Sequence, residues 1–312
     1  MRALILTACF HAALAGAAIA ETPKRFFPEA LQQEGRITLS PGFSPDGRTI
    51  YFAQSDCSPI WECPQTLKRS TLGDKGWSTP AAVDLGAEAR ADWPAVSPDG
   101  STLIFSWSAT RPDLATLDIA ENFDLYTLDI TTNGTKPRPI DTGDINRPRA
   151  GGLKTLRYMH NEAYPSLTRS GALYFMTERP DGVGERDIYV ARMRADGSYG
   201  TATPVAGPIN SPQRDDGVWV NTDETIMLLT YNARGGEGGA DLFVSFQSDG
   251  LWSEPVNLGA PVNSPAEEFG ARLTPDGKTI IFTSDRPDDG NEGRILQVYA
   301  APIDIDTYRP GE

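Results

Sequence analysis

Residues 94–105 read PAVSPDGSTLIF, and residues 41–52 and 271–282 repeat the pattern as PGFSPDGRTIYF and ARLTPDGKTIIF. Each copy has a short apolar segment, a Pro-Asp-Gly turn and a second segment rich in β-branched and aromatic residues. Proline presets the backbone for such a turn, aspartate caps it, and glycine takes the left-handed position. The pattern therefore predicts a β-hairpin in each copy.

The hairpin recurs along the whole chain. Two weaker copies are PSLTRSGALYF at residues 165–175 and VWVNTDETIML at residues 218–228. The turns are anchored at residues 46, 99, 170, 223 and 276, which are separated by 53, 71, 53 and 53 residues. Third strands are predicted at 124–128, 187–191 and 241–245, and a fourth segment places an aromatic residue before proline. A four-stranded antiparallel unit at this period is typical of a β-propeller blade.

The two ends of the chain predict how the ring closes. The last copy has room for three strands, whereas Arg25-Phe26-Phe27-Pro28 precedes the first turn at the spacing of a fourth strand. Pairing the two ends would remove the open sheet edges. We therefore expect an all-β, five-bladed β-propeller of four-stranded antiparallel blades, closed by an N-terminal strand. The wide interval is interpreted as long loops at 110–122 and 142–161, and a sixth blade is the alternative.

Residues 1–20 are predicted to be a signal peptide, and residues 21–312 a single propeller domain. Arg2 supplies the positive start, an apolar stretch follows, and small residues end it at Ala20. No later run approaches the roughly 18 apolar residues that a membrane span requires. We expect an exported, periplasmic or secreted protein that does not span the membrane and is a monomer.

Charge and cysteine content restrict the partners. The net charge of −14, without a cluster of Lys and Arg, argues against binding to nucleic acid or anionic lipid. Cys57 and Cys63 lie close together in a proline-containing loop, which predicts a disulfide in an oxidising compartment. A zinc site is disfavoured because His160 is the one histidine beyond the predicted signal peptide.

The repeats resemble the TolB-like, WD-like β-propeller repeats. The resemblance rests on the Ser-Pro-Asp-Gly turns, on the segment Thr283-Ser284-Asp285-Arg286-Pro287, and on Arg111 and Arg179 at matching places after the second strand. Such repeats occur in scaffolds, in periplasmic translocation proteins and in non-catalytic domains of peptidases. The resemblance therefore implies the fold and leaves the function open.

Acidic residues seven or eight positions before the turns are the candidate site. In a propeller the first strand lines the central channel, so these acids are expected at one mouth of it. They would bind a ligand there, or pair with arginines of neighbouring blades and set the blade spacing. The acids are Asp92, Glu162, Asp215, Asp216 and Glu268, and the candidate arginines are Arg111, Arg179 and Arg286.

Two functions remain open at this stage. The first is a non-catalytic binding or scaffolding protein of the cell envelope, which engages a protein, peptide or glycan, with Trp61, Trp93, Tyr164 or Trp219 as candidate contacts. The second is a carboxylate-dependent, glycoside hydrolase-like enzyme that uses the acids at the channel mouth. No nucleophile elbow or phosphate loop occurs, and no cofactor is expected. Calcium at residues 285–292 is a weaker possibility, because the spacing differs from that of a calcium loop.

Overall fold

The computed structural model of the chain describes residues 21–26, 36–56, 63–87, 89–109, 123–147, 161–232, 234–287 and 295–310. Within these ranges, the chain forms β-strands and a short 3-10 helix at Ile305–Tyr308. The strands assemble into five antiparallel sheets, which are the blades of a β-propeller. The predicted fold class and blade number are therefore confirmed.

Each blade starts with an inner strand and adds its other strands outward in chain order. A short strand, β1 (Lys24–Arg25), precedes the first blade. Blade one contains β2 (Ile37–Phe43), β3 (Thr49–Ser55), β4 (Thr66–Gly73), β5 (Gly76–Trp77) and β6 (Ala81–Ala82). Blade two contains β7 (Ala91–Val96), β8 (Thr102–Trp107), β9 (Asp124–Asp129) and β10 (Arg138–Pro139). Blade three contains β11 (Glu162–Leu167), β12 (Ala172–Thr177), β13 (Asp187–Arg192) and β14 (Thr203–Pro204).

The last two blades complete the ring. Blade four contains β15 (Asp215–Val220), β16 (Ile226–Tyr231), β17 (Asp241–Ser248), β18 (Leu251–Trp252) and β19 (Val256–Asn257). Blade five contains β20 (Glu268–Leu273), β21 (Thr279–Ser284), β22 (Gln297–Pro302) and, as its outermost strand, β1. The described residues between β8 and β11 contain only β9 and β10, both of which belong to blade two.

The N-terminal strand closes the ring as predicted. Strand β1 pairs antiparallel with β22, with Lys24 opposite Ala300 and Arg25 opposite Tyr299. The backbone N–H of Phe26 extends the ladder by donating to the carbonyl of Val298 at 2.9 Å. Because β1 covers the outer edge of β22, the last blade presents no open edge on that side.

The Ser-Pro-Asp-Gly turns are stabilised by side-chain hydrogen bonds. The Asp46 carboxylate accepts from the Ser44 hydroxyl and from the Arg48 backbone N–H at 3.0 Å, while Gly47 takes a φ of 68°. These hydrogen bonds to its charged form lower the pKa of Asp46. Asp99 and Asp276 make equivalent contacts in blades two and five. The turn chemistry expected from the repeat is therefore present in three blades.

Among the residues that the structure describes, apolar side chains form five clusters, one in each junction between neighbouring blades. The junction that closes the ring contains Ile50 and Phe52 of blade one and Ile281 and Val298 of blade five. The other four clusters lie between blades one and two, two and three, three and four, and four and five. Each blade thus buries both of its faces, which explains the apolar runs in the inner three strands. No helix among the described residues has the length and apolar character needed to cross a membrane.

We predict that deleting residues 21–26 lowers the stability and promotes self-association. The deletion leaves the edge of β22 without a partner and uncovers part of the core between blades one and five. Urea denaturation should show a lower midpoint, and size-exclusion chromatography should show oligomers. Removal of residues 21–22 alone, which keeps β1, serves as the control. A monomer of unchanged stability after the longer deletion would contradict the closing role of β1.

Candidate functional site

The inner strands carry an irregularity at the same place in every blade. The register between the first and second strand shifts at Leu39–Gly42, Asp92–Ala95, Ala163–Ser166, Asp215–Gly217 and Phe269–Arg272. In four blades the residue six positions before the turn has a positive φ; these residues are Ser40 (57°), Trp93 (54°), Tyr164 (55°) and Gly270 (65°). Such bulges bend a strand and redirect a side chain. For a residue as bulky as Trp or Tyr, this backbone conformation is strained.

The rings of Trp93 and Tyr164 form a plug across the central channel. They stack with centroids 3.5 Å apart and planes inclined by 27°. A Cβ added to Gly270 of blade five would lie 2.7 Å from the Trp93 ring, and one added to Gly217 would lie 2.9 Å from the Tyr164 ring. Blades two and five are not neighbours, so the Trp93 ring reaches across the channel. We call the two rings the channel plug.

A chamber of about 200 Å³ lies on the channel plug, on the side away from the Pro-Asp-Gly turns. Its apolar wall is formed by Leu39, Phe123, Ala163, Met176, Phe269 and Leu296. Its polar groups are Gln65, Arg90, Asp92, Asn161, Glu178 and Arg186. We call this cavity the mouth chamber. Because the channel plug forms its floor, the mouth chamber is a blind pocket with an aromatic base.

The acids eight positions before the turns do not line the mouth chamber. Glu162, Asp215 and Glu268 are fully buried. Neighbouring residues of a strand point to opposite faces, so these acids and those seven positions before the turn separate into two groups. What the sequence suggests as one set of acids is therefore two sets with different surroundings.

Two of these buried carboxylates lie beside the arginine that follows the second strand of their own blade. Glu268 forms an ion pair with the Arg286 guanidinium at 3.0 Å and accepts from the hydroxyls of Ser264 and Ser284 at 2.6 and 2.8 Å. Glu162 accepts from the Thr177 hydroxyl at 2.8 Å and lies 3.8 Å from the Arg179 guanidinium. Burial raises the pKa of Glu162 well above its ordinary value, and the charge of Arg179 opposes that rise. The ion pairs form within a blade, whereas the sequence suggested partners from neighbouring blades.

The same two arginines join blades three and five to the blades that precede them. Arg179 donates to the carbonyls of Asp144 and Ile145 at 2.6 and 2.8 Å, in the loop that leaves blade two. Arg286 donates to the carbonyls of Pro261 and Val262, in the loop that leaves blade four. Aromatic rings support both guanidiniums, with Arg179 4.8 Å from the centre of Tyr189 and Arg286 4.9 Å from that of Phe282. These contacts are architectural, since they hold consecutive blades at a fixed distance.

Blade four has the same arrangement, formed by Arg234, which comparing the repeats within the sequence does not identify. Arg234 donates to the carbonyl of Pro208 at 2.6 Å, in the loop that leaves blade three, and its guanidinium lies 4.4 Å from the ring centre of Tyr231. Asp215 accepts from the Ser211 backbone N–H and hydroxyl at 2.6 and 2.7 Å. Burial raises the pKa of Asp215 to about 7 against the effects of Ser211 and Arg234. Arg234 stands three residues after its strand instead of two, which hides it from an alignment of the repeats.

The acids seven positions before the turns, Asp92 and Asp216, lie at the mouth chamber or next to it. Asp92 accepts from the Trp93 backbone N–H at 2.7 Å. The Gln65 amide, oriented to satisfy both partners, donates to Asp92 at 2.9 Å and accepts from Arg90 at 2.9 Å. Burial raises the pKa of Asp92 to about 7, while the Trp93 N–H and the charges of Arg90 and Arg272 oppose the rise.

Asp216 belongs to a charged network beside the mouth chamber. Arg186 donates to Asp216 and, at 2.6 Å, to Glu178, so one guanidinium bridges two carboxylates. Arg214 approaches Asp216 at 3.6 Å. Arg186 was not singled out from the sequence, because it stands in the loop before β13, where the other blades have no arginine to match it. The network gives the mouth chamber a polar side opposite its apolar wall.

Several predicted site residues fall outside the described part of the chain. These are the signal peptide at 1–20, Cys57, Trp61, Arg111, His160 and most of the candidate calcium segment. Cys63 is described and buried, and its disulfide with Cys57 stays a prediction. Trp219 packs against the core between blades four and five and does not line the mouth chamber. Among the residues described here, no group of three or more His, Cys, Asp or Glu side chains could hold a metal ion.

Comparison with known proteins supports the fold. No protein-family model matches the chain, and no curated protein matches it. The GH43 endo-arabinanase from Bacillus licheniformis has a TM-score of 0.52 at 12% identity, over 86% of this chain and 94% of that one. The α-L-arabinofuranosidase from Lactobacillus brevis has a TM-score of 0.51 at 14% identity, over 89% and 92%. Identities this low establish a shared propeller fold and leave the activity open.

Solved TolB structures are also similar to the chain, as the repeats predict. TolB from Acinetobacter baumannii has a TM-score of 0.46 at 15% identity, over 85% of this chain and 54% of that one. The chain therefore spans about half the length of that TolB. The class established by the fold is a five-bladed β-propeller.

We predict that Asp92 makes stability depend on pH near neutrality. The folded protein keeps the Asp92 proton up to about pH 7, whereas the unfolded chain loses it near the ordinary aspartate pKa of 3.8. The stability that this proton contributes is therefore fully present below pH 3.8, and it is lost as the pH rises towards about 7. The free energy of unfolding of the wild type, relative to Asp92→Asn, should fall by about 2–3 kcal/mol between pH 5 and pH 8.

The matched control for Asp92 is Asp99→Asn. Hydrogen bonds from Ser97 and Ser101 lower the pKa of Asp99, so its contribution is lost only in more acidic solution. The difference between wild type and Asp99→Asn should therefore stay flat from pH 5 to pH 8. Both differences are measured by urea denaturation. Equal pH profiles for the two variants would contradict the assignment to Asp92.

We predict that the contributions of Glu268 and Arg286 to the free energy of unfolding are strongly coupled. Glu268→Gln leaves a buried guanidinium without its charge partner and should cost about 3 kcal/mol. Combining it with Arg286→Met should recover part of that loss, which a double-mutant cycle measures. The exposed pair of Arg169 and Asp223 is the control, with a coupling below about 1 kcal/mol. Additive effects of the two buried substitutions would exclude the coupling.

Proposed function

We propose that this chain is a non-catalytic binding protein of the cell envelope, which receives its ligand in the mouth chamber. The observation that carries the proposal is the channel plug. Trp93 and Tyr164 turn an open channel into a blind pocket with an aromatic base. Concave pockets with mostly apolar walls and a few oriented polar groups are the usual form of ligand sites.

The residues that line the mouth chamber indicate which chemical group of a ligand it would accept. Phe269 and Leu296 offer apolar contact, and Arg90 and Arg186 offer donors at the polar side. An apolar or ring-bearing group of a peptide, protein or glycan fits this combination, because aromatic faces bind both apolar side chains and the faces of sugars. Export to the periplasm or beyond, as residues 1–20 predict, would place the partner in the envelope.

The state of the acids argues against the carbohydrate-active alternative. A glycosidase needs two carboxyl groups facing the scissile bond, one as acid and one as base or nucleophile. Glu162, Asp215 and Glu268 are buried and do not line the chamber, and Asp216 is neutralised by Arg186. Asp92 has the raised pKa of a general acid but lacks an unpaired carboxylate partner among the chamber's described residues.

We predict that the mouth chamber binds without turnover. Residues 21–312 are titrated by calorimetry with a panel of oligosaccharides and of peptides carrying apolar residues. Trp93→Ala or Phe269→Ala should weaken binding of the selected ligand about tenfold or more, since both remove aromatic contact area. Trp77→Ala, in an outer strand of blade one, is the control and should leave the affinity unchanged.

The same panel tests the enzymatic alternative. Each oligosaccharide is incubated with the protein, and new reducing ends are measured over time. Release of reducing ends that disappears in Asp92→Asn would replace the proposal with a hydrolase. Binding that is identical in the wild type, Trp93→Ala and Phe269→Ala would move the ligand site away from the mouth chamber.

A further inference from the structure

A buried arginine lies in the half of the channel that the mouth chamber does not occupy. Arg272 follows Gly270 by two residues on the inner strand of blade five, towards the Pro-Asp-Gly turns. It is 7% exposed and does not line the mouth chamber. Its guanidinium extends across to blade one, where it lies 3.1 Å from the position that a Cβ on Gly42 would take. The absence of a side chain at Gly42 leaves room for this guanidinium.

Arg272 differs from the other buried arginines in its hydrogen bonding. Arg179 and Arg286 each donate to two backbone carbonyls and lie beside a buried carboxylate. In the part of the chain that the structure describes, the Arg272 side chain makes no hydrogen bond and no ion pair within 4 Å. Its five N–H donors are oriented in a rigid fork that suits a planar oxyanion.

The charge of Arg272 is incompletely compensated. Burial lowers the pKa of Arg272 to about 10, and Asp92 and Tyr164 only partly oppose that effect. Asp92 is itself partly protonated near neutral pH, because burial raises its pKa to about 7. A buried cation without a close partner is costly, so an anion that enters this space gains more than it would at the surface.

We propose that Arg272 binds a small oxyanion, either a carboxylate or phosphate, in the turn-side half of the channel. The inference is independent of the proposed function, since it concerns the opposite side of the channel plug. A ligand in the mouth chamber and an oxyanion at Arg272 would occupy one channel without competing for the same contacts.

The experiment compares oxyanions with chloride at constant ionic strength. The melting temperature of residues 21–312 is measured while sodium chloride is replaced by sodium phosphate or by sodium acetate. The wild type should be stabilised in a saturable manner by at least one oxyanion, because binding to the folded state shifts unfolding by mass action. Saturation by acetate alone would identify a carboxylate site, and saturation by phosphate alone a phosphate site.

Substitutions test whether Arg272 causes the saturable shift in melting temperature. Arg272→Met should abolish the saturable shift in melting temperature. Arg272→Lys, which keeps the charge but loses the fork, should retain a shift with an affinity weaker by about tenfold. Arg169→Met is the control, because Arg169 is an exposed arginine beside a turn of blade three and should not change the shift.

Direct titration keeps the test independent of folding. Calorimetry with acetate and phosphate on the wild type requires no variant, and circular dichroism confirms the fold of each substituted protein. The proposal would be overturned by the absence of saturable binding of either anion to the wild type. A shift of equal size in the wild type and Arg272→Met would also overturn it, since the anion would then act elsewhere.

Discussion

Arginines at the ends of the second strands tie blades three, four and five to the loop of the blade before them. Arg179, Arg234 and Arg286 all donate to backbone carbonyls of the preceding loop, while an acid of the same blade accompanies each of them. Apolar contact alone would let flat sheets slide over one another, because the hydrophobic effect is non-directional. Hydrogen bonds from a rigid guanidinium specify one relative position. The width of the central channel follows from that position.

Much of this fold is predictable from the spacing of the turns. Each Pro-Asp-Gly turn determines its own hairpin locally, so turns at equal spacing predict blades of equal length. The distance of Arg25 from the first turn predicts the closing strand. The acids are also visible as a pattern. Their separation into buried and chamber-side groups is not, because it depends on the strand pleat and on a bulge that the sequence does not mark.

The channel plug illustrates the same limit. Trp93 and Tyr164 are candidate ligand contacts in the sequence, but nothing there indicates that their rings stack, and Gly217 and Gly270 look like weak points in their strands. Only the closed ring brings an aromatic residue of one blade against a glycine of another. The informative signal was the change of residue type at one position of the repeat, from aromatic in two blades to glycine in two others. A missing side chain in one blade makes space for a large one from another.

The five blades provide an internal comparison for the strain at the channel plug. The position six residues before the turn holds Ser40 in blade one and glycine in blades four and five, and Gly217 avoids the left-handed region altogether. The fold therefore tolerates small residues there and does not need an aromatic side chain. A bulky residue in the left-handed region costs of order 1–3 kcal/mol. Two such residues meet in one stack at the floor of the mouth chamber, and the packing of the blades requires neither of them. Their presence there supports the proposed ligand site.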